Sequence, residues 1–172
     1  MSKELHLLIL KSKKGNQKAQ IKLYDLFCEA MFFISCRYLK NEEEAKDAMQ
    51  DAFLNLESYK IETSFGAWLK KIVINTCIDT LKKKKIETVS LDNYPFEVLD
   101  YDNDWNFDVK IDKKEIVDAI ENLKIKYQLV VKLYLLEGYD HSEISDILKI
   151  PIKTSRTQLR RGKLELRNLL KT

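Results

Sequence analysis

The sequence predicts an all-α fold: two small helical domains joined by an acidic flexible linker, the second ending in a helix-turn-helix. Turn residues are scarce, with 4 Gly and 2 Pro in 172 residues, whereas a chain of many short strands needs them often. Apolar residues recur at helical spacing on both sides of one acidic segment. A length of 172 residues is enough for two domains of this size.

The first half contains two strong helical patterns. Residues 17–39 are so dense in apolar side chains that they predict a helix buried over most of its circumference. After a break at Lys40, Asn41 and Glu44 have the spacing of a helix-capping pair. Residues 45–56 then place apolar side chains on one face and acids and lysines on the other, which predicts an amphipathic helix.

A polar loop over residues 58–63 separates this helix from the next one, which Ser64 can cap. Trp68 lies on the apolar side of that helix and is expected to be a core residue. The helix ends in four consecutive lysines, Lys82 to Lys85. Cations suit the last turn of a helix, but four of them together exceed what capping requires.

Residues 90–109 form the acidic segment, with six Asp or Glu and no Lys or Arg. The segment shows no sustained apolar period, which favours an extended or flexible linker. Five aromatic residues are too many for an inert spacer, so the segment is expected to dock on some other surface.

The second domain is predicted to start near Ile111. A helix is expected over residues 116–123, and residues 127–136 are apolar almost all round, which predicts a core helix stopped by Gly138. The final two helices are predicted from a capping box, a three-residue turn with Pro151 and a long basic segment that reaches about Leu170.

This last pair of helices has the spacing of a helix-turn-helix. Seven cations and one acid give its second helix the charge of a phosphate-binding surface. Charge alone would equally describe a solvated helix of a bundle; the cap, the turn and the proline in register favour DNA binding.

Other functional classes lack support in the sequence. The three cysteines, Cys28, Cys36 and Cys77, have no metal-ligand or disulfide spacing, and the two histidines are far apart. No nucleophile–base arrangement or phosphate loop appears, so neither catalysis nor a cofactor is predicted. No targeting segment appears, and no apolar run approaches the roughly 20 residues that span a bilayer. The chain is therefore expected to be cytoplasmic and not itself in a membrane.

Two stretches resemble conserved regions of bacterial RNA polymerase sigma factors, especially the extracytoplasmic-function (ECF) group of the sigma-70 family. Residues 116–170 resemble the fourth region of these proteins. Residues 41–85 resemble the second region, in which a D-x-x-Q-[DE]-x-F helix precedes S-F-x-x-W-L and an Asn seven residues after the Trp. The matching residues are Asp47, Gln50, Asp51, Phe53, Ser64, Phe65, Trp68, Leu69, Asn75 and Asp79.

The resemblance implies three parts: region 2 over residues 1–87, an acidic linker over 88–110 and region 4 over 111–172. It implies a sigma factor that binds core RNA polymerase, at the largest subunit's coiled coil and the flap region, and directs it to promoter DNA. An anti-sigma factor is a further implied partner. Two alternatives are a sigma-independent helix-turn-helix regulator, which would not need the first region, and a sigma-like decoy, which would carry a further domain.

The resemblance also assigns residues to roles. The polymerase-binding residues are Asp47, Gln50 and Asp51. The pocket for a flipped base of the melted promoter contains Tyr59, Ile72, Asn75 and Asp79. Phosphate contacts come from Lys70, Lys71, Lys82 and Lys83. The distal promoter element is contacted by Lys153, Arg156, Thr157, Arg160, Arg161 and Lys163.

Three positions depart from the family pattern. Ser155 stands where Val is usual, and its hydroxyl is expected to bond back to the preceding helical turn. Lys149 stands where the turn often has Gly, which puts the geometry of that turn in question. Gln158 replaces a frequent Arg, which is expected to change promoter preference.

Overall fold

The computed structural model describes residues 2–86 and 112–170, and the chain divides into two compact units that contain these ranges. Within them the secondary structure is helical and no strand occurs, which confirms the predicted all-α class. The acidic linker and its predicted limits, residues 88 and 110, lie outside the described residues. None of the described helices has the length and apolar character needed to span a membrane.

The described residues of the N-terminal unit form four α-helices and a short 3-10 turn. Their bounds are α1 Lys3–Lys13, α2 Gln17–Tyr38, α3 Glu42–Leu54, the 3-10 turn Asn55–Ser58 and α4 Phe65–Ile86. Local side chains define two of the helix starts, as predicted. The Asn41 side chain accepts a hydrogen bond from the Glu44 backbone at 3.2 Å, and the Ser64 hydroxyl accepts one from Ala67 at 3.3 Å.

Helix α2 buries one face only, so the prediction of burial over most of its circumference was wrong. Helices α1, α3 and α4 all pack against α2, and the buried residues lie where they pack. Ile21, Leu26 and Phe33 remain 61%, 64% and 60% exposed. Three neighbours cannot cover a helix whose apolar residues point in all directions, because a small unit has too little interior.

Residues 112–170 of the C-terminal unit form four α-helices and one π-helical turn. Their bounds are α5 Lys113–Glu121, α6 Ile125–Val131, the π turn Lys132–Leu136, α7 His141–Leu148 and α8 Ile152–Leu170. Gly138 has a φ of 78°, a left-handed conformation that ends the helix as predicted. The expectation that residues 127–136 are all core was wrong at the π turn, where Tyr134, Leu135 and Leu136 are exposed.

All three cysteines are free thiols, and they lie in the N-terminal unit. Cys77 is buried, and this burial raises the pKa of its thiol to about 11. The thiol is therefore neutral at physiological pH, as expected of a cysteine that serves as a small apolar core residue.

Candidate nucleic-acid interface

Helix α7 starts with a complete capping box, as its sequence predicts. The Asp140 carboxylate accepts hydrogen bonds from the backbone N–H groups of Ser142, at 2.7 Å, and Glu143, at 2.8 Å. The Glu143 carboxylate accepts one from the Asp140 backbone at 3.0 Å. These bonds fix where the first helix of the motif begins.

The turn between α7 and α8 keeps the geometry of the motif without glycine. Lys149 adopts φ 58° and ψ 45°, the left-handed conformation that glycine favours. The Ser145 hydroxyl donates a 2.6 Å hydrogen bond to the Ile150 carbonyl and so closes the turn. Helix α8 begins at Ile152, one residue later than predicted, and the Pro151 carbonyl accepts a 3.0 Å hydrogen bond from the Ser155 backbone.

Helix α8 has two distinct faces. Its buried residues are Ser155, Leu159, Gly162 and Leu166, which recur at helical spacing along one side. At 100° per residue, four of the six predicted DNA-contacting residues lie on the opposite side: Lys153, Thr157, Arg160 and Arg161. Arg156 and Lys163 lie at the edge between the two sides. The helix therefore packs through one face, and the remaining surface is its basic face.

The six side chains on the basic face differ in exposure. Lys153, Arg156 and Arg160 are exposed, whereas Thr157, Arg161 and Lys163 are half-buried. The Thr157 hydroxyl donates to the Lys153 carbonyl at 2.9 Å. The ammonium group of Lys163 lies 5.6 Å from the centre of the Tyr134 ring, within cation–π range.

Ser155 pairs with His141, and not with the preceding turn as predicted. Its fully buried hydroxyl lies 2.9 Å from His141 Nδ1, so the pair links the first residue of α7 to α8. The His141 ring also stacks on Tyr134, with ring centres 5.1 Å apart. Sequence spacing did not reveal this contact, because the two residues are 14 positions apart and meet only when the motif folds.

Burial, with the nearby cation Arg156, lowers the pKa of His141 below its ordinary value of about 6.5. The unfolded chain therefore binds this proton more readily, and the stability of the C-terminal unit should fall as pH drops from 7.5 to 6. We expect His141→Gln to reduce that fall. Urea unfolding followed by hydrogen exchange of residues 112–170 measures the stability of the unit at each pH. If stability fell equally in His141→Gln and in the wild type, His141 would be excluded as the cause of the pH dependence.

Lys132 is a buried cation that the sequence analysis missed. Its side chain is 2% exposed, and its ammonium group lies 2.6 Å from a Glu121 carboxylate oxygen. The Gln128 amide adds hydrogen bonds to the Ile120 carbonyl at 3.1 Å and the Glu121 carbonyl at 3.0 Å. The one sequence signal was a lysine inside an otherwise apolar run. This polar cluster joins the end of α5 to α6 and the turn after it.

In the N-terminal unit, Asp47, Gln50 and Asp51 are all exposed on α3. The buried residues of the same helix, Ala45, Ala48, Met49 and Ala52, lie on its other side. Helical spacing therefore brings the three predicted polymerase-binding residues together on one solvent-facing surface, which we call the α3 face.

Tyr59, predicted to line a base pocket, is 1% exposed. Its ring centre lies 5.2 Å from that of Phe65 and 5.1 Å from that of Trp68, which is itself half-buried. The Tyr59 hydroxyl donates a 2.6 Å hydrogen bond to the Thr63 carbonyl. In this conformation the loop after α3 is folded over the ring.

The other predicted pocket residues follow Trp68 along α4. Ile72 and Asn75 are half-buried and Asp79 is exposed, and their spacing keeps all three on the Trp68 side of the helix. The side-chain oxygen of Asn75 is buried and accepts no hydrogen bond. Buried side-chain oxygens without a hydrogen-bond partner are uncommon, and a functional role is one explanation for them.

The predicted phosphate-contacting lysines also lie on α4. Lys71 and Lys83 are exposed, and Lys70 and Lys82 are half-buried. Lys84, next in the basic run, forms an ion pair with Glu44 and so links α4 to the first turn of α3. Part of the basic run therefore has a structural contact within the unit.

The geometry defines a helix-turn-helix protein with a basic second helix and a separate helical unit that carries an exposed α3 face. Both units match known families. The family described as Sigma-70 region 2 matches residues 24–86, and the family described as Sigma-70, region 4 matches residues 113–166.

Relatives align over nearly the whole chain. The ECF RNA polymerase sigma factor SigW of Bacillus subtilis is 31% identical over 173 residues, which cover 92% of this chain and 92% of that protein. The ECF RNA polymerase sigma-E factor of Haemophilus influenzae is 25% identical and covers 94% of this chain and 92% of its own length. That of Escherichia coli K12 is 24% identical, with coverages of 98% and 96%.

Two solved structures share the fold. The sigma factor RpoE of Bartonella quintana, in complex with the anti-sigma factor NepR, has a TM-score of 0.57 and 18% identity over 88% of this chain and 96% of that chain. CnrH, in complex with the cytosolic domain of CnrY, has a TM-score of 0.56 and 19% identity over 96% of each chain.

This chain belongs to the ECF sigma factors of the sigma-70 family. Its function is therefore promoter-specific initiation of transcription by RNA polymerase. The alternative of a sigma-independent regulator is not favoured, because the region 2 match adds a second family unit that such a regulator does not need.

Proposed function

We propose that the α3 face docks this sigma factor on the coiled coil of the polymerase's largest subunit. The observation that carries the proposal is the exposure of Asp47, Gln50 and Asp51 on one side of α3, opposite its buried side. Exposed acids and an amide offer hydrogen-bond acceptors to a cationic partner surface. Region 4 is inferred to contact the polymerase's flap region as well.

The basic face of α8 then reads the distal promoter element in the major groove. Arg156 and Arg160 are exposed, and arginine can donate two hydrogen bonds to one guanine. Thr157 and Arg161 flank them on the same face. Lys153 and Lys163 supply phosphate contacts that set the position of the helix on DNA.

The side of α4 that carries Trp68, Ile72 and Asn75 takes up a flipped base of the melted promoter, with Asp79 at its edge. The buried side-chain oxygen of Asn75 supports this role, because it accepts no hydrogen bond within the described residues. The amino group of a flipped base would donate the missing hydrogen bond. Tyr59 joins the pocket when the loop over its ring opens. Lys70, Lys71, Lys82 and Lys83 attract the flanking phosphates.

These roles assign region 2 to residues 1–87, an acidic linker to 88–110 and region 4 to 111–172. The chain acts on polymerase in the cytoplasm and catalyses no reaction itself, needing no cofactor. Because the sigma factor RpoE, which shares the fold, was solved in complex with the anti-sigma factor NepR, we infer that an anti-sigma factor also restrains this chain.

A binding titration with purified core RNA polymerase tests the docking assignment. The fluorescently labelled chain should bind tightly, and the triple change Asp47→Ala, Gln50→Ala and Asp51→Ala should weaken binding at least tenfold, about 1.4 kcal/mol. The matched control changes Gln17, Asp25 and Glu29, an exposed glutamine and two exposed acids on α2, to Ala. A folded wild-type chain that does not bind polymerase, or equal losses in both triple variants, would reject the assignment.

A further inference from the structure

A concave apolar surface lies beside the α3 face. It is formed by the end of α1, the start of α2 and the end of α3 with its 3-10 turn, and it encloses about 380 Å³. Its floor includes the ring pair Tyr24 and Phe53, whose centres are 4.9 Å apart, and its rim includes Ile21 and Leu54. We call this surface the α2–α3 groove.

The groove is lined by polar residues, among them Lys13, Gln20 and Glu57, and by two strongly exposed apolar ones. Leu54 is 81% exposed, more than any other large apolar residue in the described ranges, and Ile21 across the groove is 61% exposed. Single exposed apolar residues are common, but two of them beside an apolar cavity form a patch of the kind that binds a partner.

The groove is continuous with the α3 face. Leu54 lies seven positions after Asp47, four after Gln50 and three after Asp51. This helical spacing places Leu54 on the same side of α3 as those three residues. Together they form a polar surface that ends in an apolar cavity. Interfaces commonly combine a desolvated apolar anchor with polar contacts around it. A partner helix that lies along the α3 face would reach the groove with its next apolar side chain.

We propose that the α2–α3 groove is the apolar half of the polymerase-docking surface and accepts an apolar side chain from the same polymerase helix that contacts the α3 face. The proposal rests on the docking function proposed above. Under this proposal Leu54 and Ile21 contribute much of the binding free energy for core polymerase, whereas the polar residues of the α3 face set the orientation of the bound polymerase helix.

The test compares Leu54→Ala with Leu26→Ala in the polymerase titration. Both leucines are exposed, at 81% and 64%, but only Leu54 lines the groove. We expect Leu54→Ala to weaken binding at least fivefold and Leu26→Ala to leave it within twofold. Ile21→Ala, which alters the opposite rim, should weaken binding as Leu54→Ala does. Circular dichroism checks that each variant is folded.

A photo-crosslinking amino acid at position 54 should attach to the polymerase's largest subunit, and one at position 26 should not. If the triple α3-face variant weakens binding while Leu54→Ala and Ile21→Ala do not, the groove proposal is overturned and the docking function stands. If the wild-type chain does not bind polymerase, both are overturned. Self-association that Leu54→Ala abolishes, with polymerase affinity unchanged, would overturn the proposal in favour of a second copy of the chain.

Discussion

Gly162→Val is expected to unfold the C-terminal unit and abolish its DNA binding. Gly162 lies at the crossing of α8 with α6, where an added Cβ would come 2.7 Å from Val131 Cγ2 and 3.2 Å from Tyr127 Cβ. Overpacking by single methylene groups already costs about 1–3 kcal/mol, and valine adds three carbons. A unit of this size has a net stability of roughly 3–9 kcal/mol, so the variant should lose most of it.

Native-state hydrogen exchange of the full chain measures the loss, because protection should disappear over residues 112–170 and persist over residues 2–86. Leu164→Val is the matched control, since it puts valine at an exposed position of the same helix and carries only the helix-propensity cost. Gly162→Ala combined with Val131→Ala should cost less than the sum of the two single changes. Full protection in Gly162→Val would show that the two helices can separate without loss of the fold.

The sequence predicted the helices well because the signals for them are local. Asn41, Ser64 and Asp140 each cap a helix through a backbone group two or three residues away, and such spacing is visible in any sequence. The exposed apolar residues of α2 and of the π turn were not predictable, because what covers a helix depends on neighbours that come from other parts of the chain. Apolar density alone therefore overestimated burial.

The same distinction holds for the candidate site. Asp47, Gln50 and Asp51 are exposed on one side of α3, and Lys153 and Arg160 are exposed on the side of α8 opposite its buried residues, as helical spacing predicts. The contacts of Ser155 with His141 and of Lys132 with Glu121 escaped prediction because their partners are 14 and 11 positions apart. The burial of Tyr59 depends in the same way on rings contributed by the next helix. Local spacing fixes which face a residue is on, and tertiary packing fixes what it touches.

Glu121→Ala is expected to destabilise the C-terminal unit by about 3 kcal/mol. Lys132 is 2% exposed, and the carboxylate 2.6 Å from its ammonium group balances a charge that has almost no access to water. Removing one member of a buried ion pair leaves the other charge desolvated, which costs far more than removing both. The Gln128 amide, which lies 3.3 Å from the second Glu121 oxygen, would lose that contact as well.

Lys132→Met is the informative comparison, because an unbranched apolar side chain of similar length fills the same space without a charge. We expect Lys132→Met to lower the free energy of unfolding by less than about 1 kcal/mol. In the Lys132→Met background, Glu121→Ala should lower it little further, because the buried charge that Glu121 balances is gone. Hydrogen exchange of α5 and α6 in the full chain gives the free energy of opening for each variant. If Glu121→Ala cost as much in the Lys132→Met background as alone, the carboxylate would stabilise α5 by some contact other than the ion pair.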